Sequence, residues 1–203
     1  MAHIPDGVLS APVLVGGALA TALAVGYATR KLDYERLPQA AVLAAAFFVA
    51  SLVTVPVGPS SVHLLLNGLM GVLLGWAAVP AVLVALLMQA VFFGYGGLLV
   101  LGVNAFNIAL PALLCGLLIA PRLNRTQGRN TFIWGAIAGA AGVAVTGLLL
   151  CLSLLLSSPD YLPAGQVILF TYLPLLLVEA FVTGATLQFI QRVAPELLNR
   201  GHL

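Results

Sequence analysis

The chain has 203 residues, of which 62% are hydrophobic and only 7% are charged, and its formal net charge is +2. Soluble domains carry about 25% charged residues, so this composition predicts an integral membrane protein. The small and dispersed positive charge argues against nucleic-acid binding. Cys115 and Cys151 both lie inside apolar runs, and we predict that they are packing residues rather than a disulfide or metal-binding pair.

The first predicted element is a polar head, residues 1–9, which precedes the first hydrophobic run. The sequence Pro5-Asp6-Gly7 is typical of a turn, because proline fixes φ and glycine permits positive φ. His3 lies beside a free amino terminus, so an amine, a backbone amide and an imidazole can converge on one metal ion. The alternative is a frayed terminus with an incidental histidine. The head has neither the basic region nor the cleavage site of a signal peptide.

Seven apolar runs follow, each close to the roughly 17–25 residues that cross a membrane. The predicted spans are 10–29, 39–57, 62–78, 79–93, 104–120, 132–156 and 167–190. We therefore predict an all-α integral membrane protein with one transmembrane domain, residues 1–203. The third and fourth spans are separated by only a few residues, so they form either a tight hairpin or a partly re-entrant pair.

The basic residues predict the orientation of these spans. With seven spans, all eight fall on one side, which the positive-inside rule makes cytoplasmic. They are Arg30, Lys31, Arg36, Arg122, Arg125, Arg129, Arg192 and Arg200. The N-terminus is then predicted outside and the C-terminus inside.

His63 provides a second signal for a site on the predicted outer face. A histidine in an apolar run within a membrane is costly and indicates function, although a carbonyl can also satisfy an interfacial histidine. The glycine-rich breaks 57–61 and 94–97 lie on the same face and are expected to wall one external cavity. Of the three histidines, His202 lies in the polar tail, so His3 and His63 form a pair that favours a metal site.

The chemistry of the head favours a planar set of nitrogen ligands. Fused chelate rings from amine, amide and imidazole suit Ni(II) or Cu(II) better than Zn(II). If Met1 is retained, the amine, two amides and His3 fill four positions without His63. If Met1 is removed, the Ala2 amine, the His3 amide and the His3 imidazole fill three, and His63 supplies the fourth. Ligand deprotonation makes affinity rise with pH.

Three polar residues near the outer ends of spans four and five, Tyr95, Asn104 and Asn107, are candidates to hydrogen-bond a ligating imidazole. Ser61, close to His63, is a weaker candidate of the same kind. The asparagines are equally well explained as helix caps. Glu179 is the only acidic residue deep in a span.

Glu179 is either a coupling or proton site, or a neutral group that bonds Gln188 or a threonine. We do not expect it to bind metal, because it lies half a membrane away from the outer histidines. The chain also lacks a phosphate-binding loop of the Gly-x-x-x-x-Gly-Lys-Ser/Thr type. It is therefore not expected to hydrolyse ATP or to act as an enzyme.

Three stretches together resemble the CbiM/NikM family. They are His3-Ile4-Pro5-Asp6-Gly7, the run from Ser60 to Gly68 that contains His63, and the run from Gly94 to Asn104. These proteins are the substrate-specific membrane subunits of energy-coupling factor transporters for nickel and cobalt. The resemblance implies seven helices, an N-terminus that enters an outer pocket, and square-planar binding of Ni(II) or Co(II) as the transported substrate. The implied ligands are the terminal residue (Met1 or Ala2), His3 and His63.

The resemblance also implies partners. They are a transmembrane coupling subunit, two ATPase subunits and, in many members, a small accessory membrane protein, all at a bacterial or archaeal cytoplasmic membrane. No organic cofactor is implied. Ala40 and Ala44 on span two are the expected contact for the coupling subunit. Two further hypotheses stay open: a vitamin-transporter subunit with an organic ligand, and a membrane scaffold without one.

Overall fold

The computed structural model describes residues 3–57, 60–123 and 125–198. In these ranges the chain forms eight α-helices and one short hairpin of two strands, with 3-10 turns between some of them. The helices are α1 (Ala11–Arg30), α2 (Leu37–Ala50), α3 (Asn67–Leu74), α4 (Ala78–Phe93), α5 (Leu101–Leu118), α6 (Ala120–Leu123), α7 (Arg129–Ser157) and α8 (Leu162–Val193). The strands β1 (Val55–Val57) and β2 (Ser60–Val62) are antiparallel.

Several stretches of the described chain are long and apolar enough to cross a membrane. There are five: Ala11–Arg30, Asn67–Phe93, Leu101–Leu123, Arg129–Ser157 and Pro159–Val193. The chain is therefore a mainly helical membrane protein with several spanning segments. Two of the seven predicted spans are not found as separate candidates, for different physical reasons.

The predicted span 39–57 is shorter than expected. Helix α2 ends at Ala50, and its 14 residues reach about 21 Å at about 1.5 Å per residue, less than the roughly 30 Å hydrocarbon core. The following residues Val55–Val57 form β1 instead. Branched valines favour an extended backbone, and Pro56 lacks the N–H that a helix interior requires.

The third and fourth predicted spans form one apolar stretch that is broken at Gly75. This residue has a φ of +57°, and a 3-10 turn from it leads into α4. His63, which precedes α3, and Tyr95, which follows α4, both lie beside His3, with ring centroids 5.1 and 6.4 Å from its own. The stretch therefore returns to the side from which it began, as both the hairpin and the re-entrant alternatives predict.

Small residues allow the helices to approach closely. A Cβ added at Gly71 would collide with the backbone of Ala112, and one added at Gly139 would collide with the backbone of Glu179. Ala40 serves the same purpose: it is buried in the core that contains Phe47. The expectation that Ala40 faces a coupling subunit is therefore wrong, since α2 uses this face to pack against the bundle.

The head and the basic residues lie at opposite ends of the bundle. At the head end, the Ser10 amide donates to Ser157 Oγ, 3.1 Å away, where α1 begins and α7 ends. At the other end, the Gly128 amide before α7 donates to Gln191 Oε1 near the end of α8. The basic residues described at this end are Arg30, Lys31, Arg36, Arg122, Arg125, Arg129 and Arg192. Arg200 lies outside the described residues.

Candidate metal site

The polar head is folded into the protein by a pair of hydrogen bonds from Asn104. The Ile4 amide donates to Asn104 Oδ1 at 3.1 Å, and Asn104 Nδ2 donates to the Ile4 carbonyl at 2.9 Å. Ile4 is 4% exposed, so its backbone groups need these partners in place of water. One asparagine in α5 thus fixes the residue that follows His3. The described part of the head is an ordered element rather than a frayed end.

Asp6 makes a second attachment, to the glycine-rich loop that precedes α5. Its amide donates to the Gly96 carbonyl at 2.8 Å, and its carboxylate accepts from the Val100 amide at 2.9 Å. Gly97 has a φ of +128°, and a Cβ there would overlap the Asp6 carboxylate. Sequence reasoning assigned Asp6 only to a local turn and missed this role. The available signal was an acidic residue and a glycine-rich break on the same predicted face.

His3 and His63 lie side by side beneath the head. Their ring centroids are 5.1 Å apart with an angle of 27° between the planes. A metal–nitrogen bond of about 2 Å places a ligating ring centroid about 3 Å from the ion. Two rings on one ion are therefore separated by at most about 6 Å, and by about 4.5 Å when they are neighbours in a square plane. The observed separation fits two ligands of one ion.

A backbone contact determines which nitrogen of His63 is free. Its Nδ1 lies 2.9 Å from the Leu64 carbonyl oxygen. Because a carbonyl can only accept, Nδ1 carries the proton and Nε2 keeps its lone pair. Nε2 of His63 and Nε2 of His3 are buried and have no hydrogen-bond partner within the described ranges. A buried polar atom without a partner requires an explanation, and for His63 Nε2 a missing ligand such as a metal ion provides one.

Both imidazoles are held neutral by their surroundings. Burial, assisted by the neighbouring His63, lowers the pKa of His3 from 6.5 to about 3. Burial also lowers the pKa of His63, although its bond to the Leu64 carbonyl opposes the shift. A neutral imidazole is the form that binds metal, so these rings are ready to bind without first losing a proton.

The metal-free protein is expected to lose thermal stability as the pH falls from 6.5 towards 3. In that window the unfolded chain protonates His3 while the folded chain, with its pKa of about 3, does not, so stability rises with pH. The melting temperature of metal-free protein in detergent, measured across this window, tests the expectation. In His3→Gln the curve should be flatter, and an unchanged slope would contradict the assignment.

The structure gives the other polar candidates different contacts. The Tyr95 ring lies 6.4 Å from that of His3 and nearly parallel to it. Asn104 bonds the backbone of the head rather than an imidazole. Asn107 exchanges hydrogen bonds with Ser153 on α7, at 3.1 and 3.4 Å, and so joins two helices. Ser61 lies in β2 opposite Pro56.

Asn104→Leu is expected to lower metal affinity about 10–100-fold, the usual effect of removing a group that orients a ligand. The change leaves the Ile4 amide and carbonyl buried without partners, so the head that carries His3 is no longer fixed. Calorimetric titration of purified protein with Ni(II) measures the effect. Asn107→Leu, one turn further along α5, is the matched control and should bind nearly as tightly as the unchanged protein. Equal losses in both variants would show a general packing defect.

The histidines do not form a complete metal site by themselves. In the part of the chain that the structure covers, no group of three His, Cys, Asp or Glu side chains is placed to hold a metal ion. Backbone or terminal nitrogens near His3 are the additional donors that the sequence predicts. Met1 and Ala2, the predicted sources, lie outside the described residues, as does His202.

Glu179 is much nearer to the site than the sequence suggested. Its carboxylate accepts hydrogen bonds from the amides of Leu65 and Leu66, directly after His63. The expected distance of half a membrane is wrong, because the chain after β2 enters the bundle before α3 begins. Glu179 Oε1 bonds these two amides and not Gln188 or a threonine, the partners that the sequence suggested.

The fold and the site together define a class: a multi-pass membrane protein with two buried imidazoles beneath a folded-in polar head. Residues 3–197 match the family described as "Cobalt uptake substrate-specific transmembrane region". The chain belongs to this family, which confirms the resemblance stated above. It is a transport protein, and nothing in the family match indicates an enzyme.

Individual relatives agree with this membership. The chain is 38% identical over 200 residues to a protein named "Putative metal transport protein" from Haemophilus influenzae, covering 98% of this chain and 97% of the relative. It is 34% identical over 221 residues to the "Fused nickel transport protein NikMN" of Rhodobacter capsulatus, covering 97% of this chain and 63% of that protein. A crystal structure of a transition metal transporter superposes with a TM-score of 0.74 at 25% identity, covering 94% of this chain and 93% of the other.

Proposed function

We propose that this chain is the substrate-specific membrane component of an ATP-driven energy-coupling factor transporter, and that it captures Ni(II) or Co(II) from outside the cell. The observation that carries the proposal is the pair of buried imidazoles, 5.1 Å apart, with a His63 Nε2 that lacks a partner in the described chain. Family membership and the metals named for its relatives support the same substrate class.

The proposed ligand set is planar and consists of nitrogens. With Met1 removed, the Ala2 amine, the backbone amide of His3 and His3 Nδ1 form fused chelate rings, and His63 Nε2 completes the square. This arrangement suits Ni(II). Cu(II) would bind more tightly if only the general order of divalent-metal affinities mattered. Co(II) is the metal in the family description. Metal availability and a rigid pocket then select the ion that is transported.

The proposed topology has seven membrane helices, with the N-terminus outside and the C-terminus in the cytoplasm. It counts α3 and α4 as two arms of the hairpin at Gly75 and adds α2, extended by the residues that follow it. The described basic residues lie at the end opposite the head, which supports a cytoplasmic location for that end. The site then faces the bacterial or archaeal exterior.

The proposed partners provide the energy. This chain carries no phosphate-binding loop, so two ATPase subunits and a transmembrane coupling subunit would drive release of the metal, with a small accessory membrane protein as a further component. The fusion named in one relative supports an assembly of several membrane components.

Metal content tests the proposal directly. Protein purified in detergent at pH 7.5 and incubated with Ni(II) or Co(II) is expected to retain close to one metal ion per chain after desalting, measured by mass spectrometry of the metal. Failure to retain either metal at any pH would favour a scaffold. Stabilisation by an organic vitamin, without metal retention, would favour a vitamin-transporter subunit.

A further inference from the structure

Glu179 is a buried acidic group that the proposed function does not use. It lies within α8 and is 0% exposed, with Oε1 bonded by two backbone amides. The Leu66 amide lies 2.9 Å from this oxygen, and the Leu65 amide bonds the same atom. Burial of a carboxylate in an apolar interior costs free energy. Its presence there therefore suggests a functional role.

The bonded amides belong to the short connection that carries His63. Residues 63–66 link β2 to α3, and Leu66 has a φ of +49°. This left-handed conformation is unfavourable for a residue other than glycine and persists only where the surroundings hold it. The Glu179 carboxylate accepts from amides at the start of α3, which have no partner within the helix. It therefore holds the connection in its bent form.

One peptide group links Glu179 to the imidazole. The Leu64 carbonyl accepts the Nδ1 proton of His63, and the N–H of the same peptide group, at Leu65, donates to Glu179. Hydrogen bonds in a chain polarise one another, so an acceptor on the N–H makes the carbonyl a better acceptor. The carboxylate thereby favours the tautomer of His63 whose Nε2 is free.

A second helix holds the other side of the connection. Asn67 Nδ2 donates to Thr146 Oγ1 at 2.8 Å and to the Gly142 carbonyl at 3.3 Å, both on α7. The attachment through Asn67 fixes the start of α3 but does not touch the peptide group that bonds His63. Orientation of the ring is therefore assigned to α8 and not to α7.

We propose that Glu179 is a positioning residue for metal capture, which acts through the Leu64–Leu65 peptide group to orient His63 and fix its tautomer. The inference rests on the proposed function. Glu179 does not touch the metal in this account: Oε1 accepts from the two amides, Oε2 is buried without a partner in the described chain, and no group of three His, Cys, Asp or Glu side chains there is placed to hold a metal ion. Partners of this kind, which hold the non-ligating nitrogen of a histidine, contribute about 10–100-fold to metal affinity.

The test compares two substitutions at Glu179 in the full chain, purified in detergent and titrated with Ni(II). Glu179→Gln keeps an oxygen that accepts the two amide bonds. Its Ni(II) affinity should therefore stay within about threefold of the unchanged protein, and the visible absorption band of bound Ni(II) should not shift. Glu179→Leu removes the acceptor and should lower affinity at least tenfold, with a changed band. Thr183→Val, a buried position one turn further along α8, is the matched control and should bind normally.

The outcomes separate the inference from the proposed function. Normal Ni(II) affinity in a folded Glu179→Leu, with binding still dependent on His63, overturns the positioning role alone. A tenfold loss in Glu179→Gln also overturns it, because the carboxylate charge would then matter to the metal directly. This arm can still overturn the inference if Glu179→Leu fails to fold. No retention of Ni(II) or Co(II) by the unchanged protein overturns the proposed function and the inference together.

Discussion

His63→Ala is expected to lower the Ni(II) affinity of the purified protein more than about 100-fold. Residues that only orient a ligand contribute about 10–100-fold, and a direct ligand contributes more. His63 is 3% exposed and its Nε2 has no partner in the described chain, so no other described group is placed to replace it. His3→Ala should have at least the same effect, since it removes a chelating side chain. Calorimetric titration at fixed pH measures both losses.

The third histidine provides the control for this experiment. His202→Ala removes an imidazole from the polar tail and should leave Ni(II) affinity unchanged. Circular dichroism should show the same helix content in all three variants, because the two site histidines lie outside the helices. Normal binding by a folded His63→Ala would contradict the assignment of the site.

Blocking the amino terminus is expected to abolish metal uptake by cells. An acetyl group or an uncleaved tag removes the basicity of the terminal nitrogen, so a planar set loses one of its four ligands and the chelate rings that depend on it. Uptake of radioactive nickel by cells that produce the complete transporter measures the effect. The mass of the purified chain must be determined in parallel, because it shows whether Met1 is removed, as a ligand set that includes His63 requires.

The matched control carries the same tag at the other terminus. A tag after Leu203 should leave uptake close to the normal rate, since α8 ends at the side of the bundle opposite the head. Normal uptake by the N-terminally blocked protein, with the block verified by mass, would exclude an amine ligand. Loss of uptake in both tagged proteins would indicate a fault in assembly rather than in metal binding.

Composition was enough to predict the class of this protein. With 7% charged residues, the apolar runs leave no soluble alternative, and four of the five candidate spans follow predicted runs closely while the fifth combines two of them. The end of α2 was not predictable from hydropathy. Val55–Val57 are as apolar as the residues of a membrane-spanning helix, but the branched side chains of the valines favour an extended backbone. Only the antiparallel pairing with β2 distinguishes these outcomes.

The pair of histidines at the candidate site was predicted from the sequence, but the residues that hold the pair in place were not. His3 and His63 were identified because each is costly in its setting and both map to one face. The roles of Asn104 and Glu179 depend on contacts with residues 100 and 114 positions away in sequence, and a local pattern does not encode such contacts. The distance between Glu179 and the histidines was overestimated for the same reason. It was judged from positions along the predicted spans, which do not account for a segment that enters the bundle without forming a helix.

Anomalous diffraction from a crystal of the protein grown with Ni(II) tests the central claim most directly. Data collected at the nickel absorption edge should show one strong peak between the imidazoles of His3 and His63, within about 2 Å of His63 Nε2 and of the chain's first nitrogen. A peak elsewhere, or a nickel-loaded crystal in which these two rings bind no common ion, would contradict the account.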